Sequence, residues 1–435
     1  MTLLSGGISY MPWIKERWKL FLTKREEDMA AGVYGKGIEK AMKILVKFGN
    51  AFGAEKLVKI TSAHTMPVEP LELLKEFAED VEEVAVFTTL HPLMSAFSPD
   101  KYESMGIDRD FAGEELPVSE KRAEIHKRLG FNRTYSCLPQ LAGNLPRRGE
   151  SISWIGTGAQ IMANSLLGAR TNRDGTVINL CSALTGRTPL WGMHLDENRK
   201  AQVLVKFIGI NFDTITDCQI GAIGYHIGAI ARNRNVVFEG IPRNYGLDLL
   251  KYLMAPLSTS GSVSICHLTG ITPEAPDSQT ALGGKKPDEV VTVGEKEVLA
   301  TWQKFREASR DEVDLVIIGC PHCTIGEIKS IAGLLDGKKI GNNQRLWLGT
   351  AEQNYRLAQL MGYAGIIETA GGVISSTCMA TVPCSPLPGD VKVVKTNSFK
   401  AAHYITSFQR GKVSVVVDDI VGCIKSAISG CAEVR

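Results

Sequence analysis

An apolar run from Val313 to Ile318 leads through Gly319 to Cys320, Pro321, His322 and Cys323, and a helical pattern begins at Ile325. Strand, sharp turn and helix in that order put a thiol at the carboxyl end of a buried strand, where open α/β sheets bind ligands. A helix N-terminus after the turn is expected to lower the thiol's pKa and favour the thiolate that binds iron or zinc. Cys320 and Cys323 form a single Cys-x-x-Cys, so zinc or thiol-redox chemistry stays open, but no second pair completes a zinc ribbon. Another thiol, Cys378, ends a glycine-led loop from Gly371 and is expected to reach the same sheet edge. Asn397, Ser398, Lys400 and His403 crowd a donor-rich loop that opens a helix N-terminus, a place that favours anions. His64 and His91 each close a polar run that follows a short apolar one. Between Gly168 and Gly175 lie Arg170, Thr171, Asn172 and Arg173. Guanidinium forks there suit a carboxylate or phosphate, and the same composition suits a solvated surface turn.

Holding these groups together takes a large scaffold, and 435 residues point to two or three domains. With 44% apolar and 22% charged residues the chain reads as a well-buried globular protein. Its net charge of +2, with acids and bases interspersed, argues against a nucleic-acid or membrane surface, so small molecules are the expected partners. No apolar run has membrane-spanning length and no signal-peptide order opens the chain, which points to the cytoplasm. In a reducing compartment the 10 cysteines must be core residues or ligands. Cys181, Cys218, Cys266 and Cys423 read as small buried hydrophobes and Cys431 as exposed. Residues 1–24 look like an appended extension, followed by a helix over Glu26 to Leu45 and strands at Leu57–Ile60 and Val84–Phe87. Residues 98–127 read as charged and irregular, loop with a short helix, and Thr272–Val293 as an interdomain linker. A boundary near 290 separates α/β lobes over 25–290 from a doubly wound lobe over 291–435. That last lobe is expected to hold strands at Leu315–Ile318, Arg345–Leu348, Gly365–Glu368 and Lys392–Lys395, with helices at 325–334 and 352–361. Alternating strand and helix imply mainly parallel sheets.

GARTNRDG at 168–175, GCPH at 319–322, GG-x-x-x-x-T-C at 371–378 and TNSFKAAHY at 396–404 resemble the signature blocks of aconitase X, the divergent branch of the aconitase superfamily. The stretch from Met29 to His64 and the block from Gly186 to Arg199 fit as well, and the resemblance runs from about residue 25 to the end. It implies an α/β, multi-lobed aconitase-like architecture and a hydro-lyase whose iron–sulfur cluster, 4Fe–4S or 3Fe–4S, acts as Lewis acid on a departing hydroxyl. Within blocks that resemble the family's, Cys137, Cys320 and Cys378 are the implied ligands, three thiolates that leave one iron open. Cys323 and Cys384 stand in reserve. The expected catalytic groups are His64, His322, Ser398, Lys400 and His403, and the expected substrate-binding groups are Ser62, Arg170, Asn172, Arg173 and Asn397. Family members act on small hydroxy acids, with phosphomevalonate the leading candidate here and cis-3-hydroxy-L-proline behind it. They need a smaller swivelling domain that brings a catalytic serine. This chain is spent on the larger part, so a separate small subunit is the expected partner.

In several loops the chain departs from the family. SAH-x-SG-x-SY is replaced by Ser62 to Pro70, TTLNP by a run ending in His91 and Pro92, CTPY by Cys137 to Gln140, and W-x-E-S-S-A by Trp154 to Ala159. All are expected to face the substrate, so the retained cysteines argue for a working cluster and the loops for a changed substrate. A catalytically silent cluster-binding protein and a zinc or thiol-redox protein remain as alternatives.

Overall fold

The computed structural model describes residues 20–92, 100–306, 312–379 and 387–431. Its first lobe holds β1 (Leu57–Lys59), β2 (Ser62–Thr65), β3 (Phe87–Leu90), β4 (Ser153–Trp154) and β5 (Arg187–Pro189). The second holds β6 (Val203–Ile208), β7 (Val236–Phe238), β8 (Cys266–Leu268) and β9 (Glu289–Gly294). The third holds β10 (Leu315–Cys323), β11 (Arg345–Thr350), β12 (Val373–Ser375), β13 (Val393–Thr396) and β14 (Ser414–Val417). Strand orders are β3-β2-β4, β8-β7-β6-β9 and β12-β11-β10-β13-β14, all parallel, while β1 and β5 pair antiparallel. The mixed α/β architecture with parallel sheets is therefore as the sequence implies.

In the third lobe the chain winds outward from β10 in one direction through β11 and β12, then returns beside it as β13. That reversal is a topological switch point, where the loops leaving the two central strands diverge and open a crevice. β10 carries Val316 and Ile318 into one apolar cluster and Leu315 and Ile317 into another, so both faces of the sheet are covered, as a parallel sheet requires. Helix Ile325–Leu335 starts sharply after β10: Thr324 Oγ1 accepts from the Glu327 N–H (3.3 Å), and Glu327 Oε2 accepts from the Thr324 N–H (2.8 Å). The second lobe grips the same turn through a buried ion pair between Lys251 and Glu327, with Lys251 Nζ also donating to the His322 carbonyl (3.0 Å).

Several elements differ from the sequence reading. Gly365–Glu368 lies inside helix Tyr363–Ala370, and the third strand is Val373–Ser375, because the short apolar run Ile366–Ile367 is bracketed by Gly362 and Gly371 as helix caps. Residues expected to be loop with a short helix form the long helix Arg109–Arg128, which is rich in charge and is held by Arg122 on the Glu69 carbonyl (3.1 Å) and His126 on the Glu69 carboxylate (2.6 Å). The polar runs at His64 and Thr88–Leu90 are themselves the strands β2 and β3. The anticipated helix from Glu26 is two helices, Lys24–Ala30 and Lys36–Ala51. The supposed linker contains β9, which pairs with β6 along its whole length, so the boundary placed near 290 falls inside a strand of the second lobe. Residues 1–19 of the supposed extension lie outside the described residues, and Leu20 is buried against the first lobe.

Candidate active site

Three loops meet beside the switch point of the third lobe. Cys320 sits in a bulge at the end of β10, where register with β11 is lost between Ile318 and Cys323. The bulge turns on Gly319, whose φ is +108° and whose place would put a Cβ 2.2 Å from the Gly349 carbonyl, so a side chain is excluded. Cys378 follows β12, and Cys137 arrives from the first lobe. All three are buried, with 4%, 8% and 6% of their surface exposed. His322 brackets them: its backbone N–H donates to Cys137 Sγ (3.0 Å) and its Nε2–H to the Thr377 carbonyl (2.9 Å), next to Cys378. The second bond sets the tautomer, since a carbonyl can only accept, and leaves Nδ1 buried without a partner. His322 therefore positions the cysteine loops, and burial pushes its imidazole down to about 4.

Lys400 lies in the first turn of helix Phe399–Phe408 and is buried, and among the described residues no carboxylate forms an ion pair with it. Burial opposes its charge, yet the Cys320, Cys137 and Cys378 sulfurs and Tyr404 hold its ammonium above the ordinary lysine range. In return Lys400 pulls on the thiols, but burial dominates and Cys320 is pushed up to about 12. The low thiol pKa expected from a helix N-terminus is thus not found: desolvation outweighs the dipole. A metal must take up these sulfurs for them to ionise. Three sulfurs faced by the Lys400 ammonium are a donor set that would suit an iron–sulfur cluster, whose net negative charge Lys400 would offset. Among the described residues no three His, Cys, Asp or Glu side chains are placed to close on a single metal ion.

A cavity of about 300 Å³ opens from Cys378 and Lys400 and is walled by Met66, His91, Ile155, Gly156, Thr157, Gln160, Arg173, Asp174, Tyr404 and Phe408. His91 presses against Gly156, where an added Cβ would lie 2.6 Å from the imidazole. Behind it His64 Nε2 shares a hydrogen bond with His91 Nδ1 (3.1 Å), and His64 Nδ1 meets Thr89 Oγ1 (2.9 Å). Burial pushes His64 down to about 3 and lowers His91 too, with His64 and Lys400 adding repulsion, so the pair is neutral.

Of the residues singled out from sequence, Cys137, Cys320, Cys378, Lys400, His322 and Arg173 are brought together here. His64 stands one imidazole behind the cavity wall. Ser398 is also at the site, bonded to the Cys320 backbone, and the others have structural partners elsewhere. Ser62 Oγ accepts from Trp154 Nε1 (3.1 Å), Arg170 donates to the His194 carbonyl (2.7 Å) and pairs with Asp196, and Asn172 Oδ1 accepts from the Met193 N–H (2.7 Å). Asn397 Nδ2 donates to Tyr252 Oη (2.8 Å) and Asp217 (2.9 Å). Ser398 caps its helix, accepting from the Ala401 N–H (3.1 Å), and donates to the Cys320 carbonyl. His403 Nδ1 meets Tyr225 Oη (3.0 Å), away from the cavity. Cys323 packs with Ile328 and Ile331 in a cluster separate from that of Cys320, and Cys384 lies outside the described residues. Among the cavity groups the sequence reading passed over are Asp174, beside Arg173 in GARTNRDG, and Tyr404, beside His403, whereas His91 lies in a departed loop that was expected to face the substrate and lines the cavity.

Family models for the first, second and third domains of aconitase X match residues 19–197, 201–303 and 313–429. The chain belongs to the aconitase X family. It is 37% identical to the phosphomevalonate dehydratase large subunit of Methanocaldococcus jannaschii, over 94% of this chain and 100% of that one. A cis-3-hydroxy-L-proline dehydratase of Pseudomonas aeruginosa is 29% identical over 93% of this chain but 69% of its own length. The crystal structure of Thermococcus kodakaraensis aconitase X in its holo-form superposes with a TM-score of 0.81 at 34% identity, covering 94% of this chain and 100% of that one. Its relatives are dehydratases, and the chain is a hydro-lyase of this family. Among the described residues no helix is long and apolar enough to cross a membrane.

Proposed function

We propose that this chain is the large subunit of an iron–sulfur hydro-lyase that converts (R)-5-phosphomevalonate to trans-anhydromevalonate 5-phosphate in the cytoplasm, together with a separate small subunit carrying the swivelling domain. The observation that supports this most is the meeting of Cys137, Cys320 and Cys378, from three loops, around the buried ammonium of Lys400 at one end of a cavity that also holds Arg173. The thiols would hold the cluster, which when bound supplies a Lewis acid for the departing hydroxyl. Lys400 and Arg173 give the cavity a positive field that favours a substrate with two anionic groups over a zwitterion. Met66, Ile155 and Phe408 line the cavity with apolar surface. His91, held neutral and oriented by His64, presents a hydrogen-bonding nitrogen to the substrate. On this reading the base for the carbon-bound proton comes from the small subunit, in keeping with the name "large subunit" borne by relatives that this chain spans end to end. Anaerobic reconstitution of the two subunits with iron and sulfide, followed by turnover assays on phosphomevalonate and cis-3-hydroxy-L-proline, tests the proposal. Dehydration of the first and not the second supports it; the reverse, or no turnover by a fully loaded complex, overturns it.

A further inference from the structure

Asp174 ends the turn that enters helix Thr176–Thr185 and lines the cavity. The residue is 8% exposed, and among the described residues its enclosed Oδ1 meets no hydrogen-bond donor. Two cations share the cavity, yet neither pairs with it: Arg173 reaches toward the Ser258 carbonyl (3.5 Å), and Lys400 faces the sulfurs. The remaining titratable groups around the cavity are His91 from the loop after β3, Cys378 from the loop after β12, and Tyr404 from helix Phe399–Phe408. None of these perturbs the carboxyl, which burial alone pushes up to about 7. An enclosed carboxylate that no cation pairs with is costly, so below about pH 7 the group is a neutral acid with one O–H to donate.

Building on the anionic substrate argued above, we propose that Asp174 determines substrate charge: as a neutral carboxyl it donates a hydrogen bond to a phosphoryl or carboxylate oxygen at the substrate's non-reacting end, and as a carboxylate it repels that end. This goes beyond the clamp by cations, because it makes anion binding require a proton on the enzyme. It also distinguishes Asp174 from a residue that merely shapes the turn, which would give no proton linkage. The substrate phosphate's own second ionisation, near pH 6, lies below the range concerned.

The test uses the loaded two-subunit complex. Calorimetric titration with phosphomevalonate at about pH 8, in two buffers of different ionisation enthalpy, is expected to show uptake of about one proton. KM should climb by up to roughly tenfold per pH unit above about pH 7. In Asp174→Asn, which keeps a donor but cannot titrate, binding should be weaker, the uptake absent and KM flat across that range. Turnover with no proton uptake by the wild-type complex would overturn this inference alone, even if the variant fails to fold. If phosphomevalonate is not turned over, the functional reading falls, and proton uptake on binding inorganic phosphate still decides the role of Asp174. Proton-neutral binding of cis-3-hydroxy-L-proline that is lost in Asp174→Asn would mean that a carboxylate pairs with a substrate ammonium, and would overturn both.

Discussion

Replacing Lys400 by methionine keeps the length and apolar stem of a buried side chain while removing its ammonium. The residue is 6% exposed, and Lys400 is the leading charge acting on Cys320 and Cys137. Stripping one partner from a buried, desolvated charge arrangement typically costs about 2–5 kcal/mol. That corresponds to a loss of roughly thirtyfold to several thousandfold in substrate affinity or in retention of the cluster. The same loss is not expected at Arg173, which is exposed to solvent at the cavity wall, so its contribution is discounted for screening to about 1 kcal/mol, or roughly fivefold. Steady-state kinetics of the reconstituted complex separate KM from kcat, and iron content per chain separates substrate binding from cluster retention. A Lys400→Met complex with full iron content and wild-type KM and kcat would refute the view that this ammonium is the electrostatic centre of the site.

Other outcomes follow from the same geometry. Cys137→Ala, Cys320→Ala or Cys378→Ala should each abolish visible colour and activity, whereas Cys266→Ala, in the apolar core, should retain iron as judged by absorbance and metal analysis. Arg170→Ala should lower the melting temperature without changing KM, because Arg170 is spent on His194 and Asp196, while Arg173→Lys should raise KM by discarding the planar fork. For stability against pH, His64, His194 and His322 have folded values of about 3, 3 and 4, below the ordinary 6.5. The unfolded chain then binds more protons, so their contribution is complete above pH 6.5 and is lost as pH falls toward 4, by up to roughly tenfold in the folding equilibrium per group and pH unit. Asp174 and Asp217, both raised to about 7, act in the opposite sense over the same window, so the three imidazoles should prevail and urea midpoints should fall on acidification. The chain without its small subunit is expected to bind the cluster and show no turnover, measured by adding the partner back.

How far the sequence disclosed this site depended on what kind of signal each part carried. Cys320 was legible because an uninterrupted apolar strand followed by Gly319 and a capped helix admits few geometries, and Lys400 because it opens a helix after such a strand. Cys137 came from family resemblance, since no local pattern ties it to a loop from another lobe. The two arginines of GARTNRDG are three residues apart and chemically alike, but Arg170 pairs in a bridge with Ser151 and turns toward His194, and Arg173 alone reaches the cavity. Spacing does not encode that divergence; the partner on the neighbouring segment does. Ile366–Ile367 read as a strand because a short apolar run between glycines has no period of its own. The length of helix Arg109–Arg128 escaped notice because it has almost no apolar stripe and is held by contacts from Glu69 and Ala78, which a local reading does not see.

The most direct test of the account is an iron, zinc and acid-labile sulfide analysis of the anaerobically purified chain, taken with its visible spectrum. The account predicts a brown protein with iron and inorganic sulfide in near-equal amounts and negligible zinc, and loss of all three signals, colour, iron and sulfide, in Cys320→Ser. A colourless protein that holds zinc, or a Cys320→Ser protein with its full complement of iron and sulfide, would contradict it.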